Sequence, residues 1–137
     1  MNLFADFHAR IAAILGRFQS DGRLPGDLDL GRFVVEPPRD PSHGDLACNA
    51  AMVFAKEAKA GFGAPRAFAE AIVAELARED AVASAEVAGP GFINIIVKPA
   101  IYDRIIAFCV NNPRVFGRGA PAPGAGKVNV EYVSANP

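Results

Sequence analysis

Residues 81–98 read Ala81-Val-Ala-Ser-Ala-Glu-Val-Ala-Gly-Pro-Gly-Phe-Ile-Asn-Ile-Ile-Val-Lys98, and the period of two running through them decides the fold. Ala81, Ala83, Ala85 and Val87 fall on one face of a strand, with Val82, Ser84 and Glu86 on the other. Gly89-Pro-Gly91 makes a tight connection into a second strand, Phe92 to Lys98. Its aliphatics Ile93, Ile95 and Val97 share one side, the expected core. Phe92, Asn94, Ile96 and Lys98 share the other.

Outside this hairpin the spacing turns helical. Leu3, Phe4, Phe7, Ile11, Ile14, Leu15 and Phe18 form an apolar stripe over residues 3–18, with Asn2 as N-cap. Phe33-Val-Val35 is a short strand within residues 28–36, stopped by Pro37-Pro38, which offer no amide donors. Ser42 and Asp45 suggest a capping box, so a second helix is expected from about Asp45 to Ala60, with Leu46, Ala50, Val53 and Phe54 inward and Gly61 as its end. Pro65 opens a third helix carrying Phe68, Ile72 and Leu76. Pro99 opens a fourth with Ile101, Ile105, Phe108 and Cys109, ended by Asn111-Asn-Pro113. The sum is an α+β two-layer domain, a small and largely antiparallel sheet packed against about four helices. It occupies residues 1–113. Residues 114–126, with their cluster of Gly and Pro, form a linker.

The chain has 137 residues, 51% of them hydrophobic, with ten Phe. That composition supports a true core and excludes a disordered chain. Fourteen basic against fifteen acidic residues give a net charge of −1, so no global basic excess marks a nucleic-acid binder, and any RNA contact must be local. Cys48, placed in the Ala-rich helical run, and Cys109 read as buried free thiols of a reducing cytosol, although a disulfide stays open at this level. No stretch approaches a membrane span, and the expected location is cytoplasmic.

The outward face of residues 92–98 offers a ring, an amide, an aliphatic and an ammonium. A flipped-out RNA base needs such a set: a flat surface, an edge-reading amide and a cation for phosphate. Stacking on an exposed aromatic supplies about 1–3 kcal/mol per base. On the residues alone, a Phe92 packed beneath a helix and an Asn94 satisfying a turn is the commoner arrangement. Asp40, His43 and Asp45 could suggest a metal or an acid/base pair, but capping in a solvated loop accounts for them better. His8 falls among polar helix positions and is expected to face solvent. Ser42 lacks an elbow sequence and Cys48 lacks a nearby base, which argues against nucleophilic catalysis. Gly124-Ala-Gly-Lys127 lacks the first Gly and the Ser/Thr of a phosphate loop.

The last residues, Lys127-Val-Asn-Val-Glu-Tyr-Val-Ser-Ala-Asn-Pro137, alternate as a strand followed by a loop of the kind that carries ligands in α/β sheets. Together with Ser42-His-Gly-Asp-Leu-Ala-Cys-Asn-Ala-Ala51 and Gly89-Pro-Gly-Phe-Ile-Asn94, this segment resembles bacterial arginyl-tRNA synthetases, a class I family. The first two motifs are similar to that family's N-terminal additional domain. The third resembles the stretch leading into its nucleotide-binding motif, and that motif is not in the sequence. The resemblance implies an N-terminal piece of an arginine–tRNA ligase, with residues 127–137 the first strand of a Rossmann-type catalytic domain.

Several roles follow from the resemblance. Phe92 and Asn94 match an aromatic and an amide that read a D-loop base of the arginine tRNA, with Lys98 added as a phosphate contact. Some family members carry a further Asn where this chain has Ala88. Glu131, Ser134 and Asn136 match positions for the arginine substrate and the loop toward ATP. Arginine and ATP with Mg are substrates of the whole enzyme. The piece itself is expected to lack catalysis, metal and cofactor, to be a monomer, and to have arginine tRNA as partner. Two alternatives are a protein-interaction module without an RNA role and a small enzyme built on the 40–45 loop.

Overall fold

The computed structural model describes residues 2–118 together with 124, 126 and 127. The chain opens with α1 (Leu3–Ser20), followed by β1 (Val35–Glu36), a 3-10 turn (Pro41–His43) and β2 (Leu46–Cys48). Two short helices, α2 (Ala50–Val53) and α3 (Lys59–Phe62), precede α4 (Pro65–Leu76). The hairpin β3 (Val82–Ala88) and β4 (Phe92–Val97) and then α5 (Pro99–Asn111) complete the described elements. The strands form one antiparallel sheet in the order β1-β2-β4-β3. This is the expected α+β arrangement.

Helix α1 is fixed at its start by Asn2, whose side chain accepts hydrogen bonds from the backbone N–H groups of Phe4 and Ala5. Its stripe is core from Phe7 onward: Phe7, Ile11, Ile14, Leu15 and Phe18 are buried, and Leu3 and Phe4 pack partly buried against them. Phe68, Ile72 and Leu76 of α4 meet the same core, as do Leu46, Cys48, Ile93, Ile95 and Val97 from the sheet. The helices therefore cover one face of the sheet, and the hairpin's outward residues lie on the other.

Five expectations give way. The helix anticipated over residues 45–60 is instead β2, with Cys48 in the strand, then the two short helices. Leu46 and Cys48 pair with Ile95 and Ile93, so the open edge of β4 claims a segment whose alanines alone favour helix. The capping role near Ser42 belongs to Asp40, which accepts from the Ser42 N–H at 2.9 Å, and Gly63 rather than Gly61 ends the helical run. In β3, Val82 pairs with Val97 while Ser84 pairs with Ile96. Ala83 is thus an extra residue in a bulge, and Val82 turns to the buried face instead of sharing a face with Ser84 and Glu86. The short strand anticipated at Phe33–Val35 lies instead at Val35–Glu36, directly before the two prolines.

Helix α5 has no fully buried residue. Ile101 packs against the core, whereas Ile106 and Val110 are exposed. Among the described residues, no helix is long and apolar enough to cross a membrane. Both cysteines are free, Cys48 buried and Cys109 half-buried.

Candidate nucleic-acid interface

The outer face of the sheet is built by register. Because cross-strand partners share a face, the pairings Glu36–Ala47, Ala47–Asn94 and Asn94–Glu86 set these four side chains in one row. Ala88 and Phe92 form the neighbouring pair at the hairpin end. The connection from β1 to β2 lies along the edge of this row. Its return is fixed by Gly44, whose φ of 110° is open to glycine. A Cβ there would stand 2.9 Å from the Ile95 carbonyl oxygen.

Asp45 completes the anchoring. Its backbone N–H donates to the Ile95 carbonyl at 2.9 Å. One carboxylate oxygen accepts from the Val97 N–H at 2.8 Å and the other from the Tyr102 hydroxyl at 2.7 Å. Burial and this carboxylate push the Tyr102 phenol above its ordinary value. Asp45 is therefore a structural tie between β2, β4 and α5.

Between the connection and the hairpin lies an open groove of about 460 Å³, lined by Pro37, Pro38, Arg39, His43, Ala47 and Asn94 among others, with Phe92 and Ala88 at the hairpin end. That volume falls in the roughly 300–1,000 Å³ range of small-molecule sites. Phe92 keeps 46% of its surface exposed, whereas Asn94 keeps 8%. No group among the described residues hydrogen-bonds the Asn94 amide, and neither amide atom is sealed from solvent. The groove thus combines an exposed aromatic surface with a recessed amide whose donors and acceptor have no partner among the described residues.

Charge at the groove is mixed. Glu36 and Asp40 bring carboxylates, and Arg39 and His43 bring nitrogen groups. The Ser42 backbone N–H holds the Asp40 carboxyl below the usual carboxylate range. Arg39 enters no ion pair among the described residues. Lys98 precedes α5 as its N-cap residue, beyond the far end of β4, and does not line the groove. Glu131, Ser134 and Asn136 lie outside the described residues. His8, expected in solvent, instead stacks on Phe33 at a centroid distance of 4.1 Å and approaches the Phe33 carbonyl through Nε2 at 3.2 Å.

Sequence reasoning singles out Phe92 and Asn94 for this face, which the structure brings together, but not Pro37, Pro38, Arg39 or Ala47, and it weighs His43 only as a metal or acid/base candidate of the 40–45 loop. The signal available was Pro37-Pro38-Arg39 ahead of the Ser42–Asp45 motif, once that motif is taken as the start of a strand beside β4. Among the described residues, no three His, Cys, Asp or Glu side chains converge as a metal site.

The family model described as "Arginyl tRNA synthetase N terminal domain" matches residues 5–97, which include the whole of this groove. The chain belongs to that family. An arginine–tRNA ligase of Beijerinckia indica is 59% identical over 137 residues, all of this chain and 23% of the relative. One from a Bradyrhizobium species is 53% identical over 135 residues, 98% of this chain and 22% of the relative. One from Methylobacterium nodulans is 53% identical over 137 residues, again 22% of the relative. The chain therefore spans less than a quarter of the length of the relatives it matches. Within the matched region, Gly44 and Asp45 of the Ser42-His-Gly-Asp45 segment serve the architecture, seating β2 and α5 against β4.

Proposed function

We propose that this domain docks an arginine tRNA for an arginine–tRNA ligase by taking an unpaired D-loop base into the groove, stacked on Phe92 and read by Asn94. The observation that carries the reading is the pairing of an exposed ring with a recessed, uncommitted amide in one groove. A paired base has no reachable Watson–Crick edge, so the groove suits an unstacked loop base. Lys98 and Arg39 are proposed to contact phosphates around it.

The wider reaction is proposed from the relatives. A ligase of this kind would join arginine to its tRNA at the expense of ATP, with Mg accompanying the nucleotide. Glu131 is proposed to attract the substrate guanidinium, and Ser134 and Asn136 to hold its amino-acid end and the approach to ATP. In this division residues 1–113 dock RNA, 114–126 link, and 127–137 begin the catalytic domain. The 137-residue chain then contributes docking without turnover, as a cytoplasmic monomer in isolation.

Binding of labelled arginine tRNA to wild type and Phe92→Ala tests the reading. Loss of one stacked base, about 1–3 kcal/mol, lowers affinity roughly five- to hundredfold. Binding also weakens steeply with salt, as phosphate contacts require. Unchanged affinity in Phe92→Ala, or binding indifferent to salt, overturns it. The rival reading is a protein-interaction module whose exposed strand face, with Phe92 and Ile96 open to solvent, docks a partner protein. It predicts no salt-sensitive tRNA binding at all.

A further inference from the structure

The groove has a floor and a second polar group that the proposed base-reading pair does not use. Ala47 pairs with Asn94 on one side and with Glu36 on the other, so all three point to the outer face, and all three line the groove. Two strand spacings separate Glu36 from Asn94, about 9–10 Å between backbones. The residue between them is the smallest that still has a side chain, so nothing rises from the sheet to fill the gap. Asn94, at 8% exposure and without a partner among the described residues, opens into this gap.

Resting on the base-docking reading, we infer that Ala47 is the floor of the base slot and that Glu36 is a specificity-determining residue beside Asn94. The chemistry selects a class of base. An ionised carboxylate only accepts hydrogen bonds, whereas an amide both donates and accepts. A base edge spanning the two groups must present a donor toward Glu36 and can present an acceptor toward Asn94. On the Watson–Crick edge, an exocyclic amine beside an unprotonated ring nitrogen, as in adenine or cytosine, meets both demands. A carbonyl at the amine's place, as in uracil, sets two acceptors against each other. Glu36 is unpaired among the described ion pairs, so its acceptor capacity is available.

The slot is tested with the 137-residue chain and arginine tRNA transcripts carrying each of the four bases at every unpaired D-loop position. Wild type favours adenine or cytosine over uracil or guanine at one position by roughly five- to hundredfold. Glu36→Gln, which can donate as well as accept, retains binding and compresses that preference to within about threefold. Ala47→Leu fills the floor from the partly exposed outer face, leaves urea unfolding near wild type, and loses affinity to the extent that Phe92→Ala does. A preference unchanged in Glu36→Gln overturns the specificity assignment, and wild-type affinity in a folded Ala47→Leu overturns the floor. If Phe92→Ala itself binds like wild type, the underlying docking reading has failed instead.

Discussion

The Tyr102 hydroxyl donates a 2.7 Å hydrogen bond to a carboxylate oxygen of Asp45, 57 positions away. The other Asp45 oxygen takes the Val97 N–H, at the end of β4, where β2 no longer supplies a backbone partner. One side chain thereby closes a ladder position and fastens α5, an element with no fully buried residue of its own. Hydrogen bonds to charged groups contribute about 1.5–3 kcal/mol when not fully exposed. Asp45→Ala is expected to lower unfolding free energy by about 2–3 kcal/mol in urea titration, and Tyr102→Phe by about 1 kcal/mol, since Tyr102 is half-exposed. Because both share one interaction, the double variant loses less than the sum.

Gly44 is the second fixed point of the same motif. Its φ of 110° lies where side chains are strained, and an added Cβ would press on backbone rather than on a flexible side chain. Strain of this kind costs about 1–3 kcal/mol before any clash. Gly44→Ala is expected to destabilise by at least about 2 kcal/mol, seen as a lowered urea midpoint with unchanged slope. Stability within about 0.5 kcal/mol of wild type would show that the connection can re-route.

The alternating hairpin, the α1 stripe and the Pro65 and Pro99 helix starts were legible because each has a period or a cap that local chemistry dictates. Leu46–Cys48 was not, because three residues are too few to establish alternation, and the alanines after them favour helix. Only the vacant edge of β4, 45 positions downstream, makes them a strand. The bulge at Ala83 was invisible for a similar reason: it appears only when Val82 and Ser84 are both matched to β4. At the groove, the half on one strand could be read from β4 alone. The other half, Glu36 through Ala47, depends on strand order, which no single segment encodes. His8 was misplaced because Phe33 approaches it across the fold.

The Asp40 cap makes a milder prediction. Its side chain holds the 3-10 turn that borders the groove, through the Ser42 N–H. Asp40→Asn retains an acceptor and should keep both stability and tRNA binding near wild type. Asp40→Ala loosens the turn, and its cost should be larger in tRNA affinity than in urea midpoint, because the turn shapes the groove more than it supports the core.

Alkaline pH should expose the buried thiol. Burial pushes Cys48 from an ordinary value of 9.0 up to about 12, while the Ala50 N–H, donating to its sulfur at 3.4 Å, opposes this weakly. A group whose folded value is raised favours the folded state fully below its unfolded value, and that contribution is lost as pH climbs toward the folded one. For Cys48 the window is about pH 9–12, with a slope near 1.4 kcal/mol per pH unit for one proton. Tyr102 is raised in the same direction from 10.0, so its contribution also fades above about pH 10. Wild-type stability should therefore fall progressively across this range. Cys48→Ala, although less stable at pH 7 through lost packing, should show a shallower alkaline decline, and Cys48→Ala with Tyr102→Phe a shallower one still. The same burial predicts that iodoacetamide at pH 8 modifies half-buried Cys109 in the native domain and reaches Cys48 only in denaturant. Rapid native labelling of both thiols would mean that β2 opens far more readily than its pairing with β4 implies.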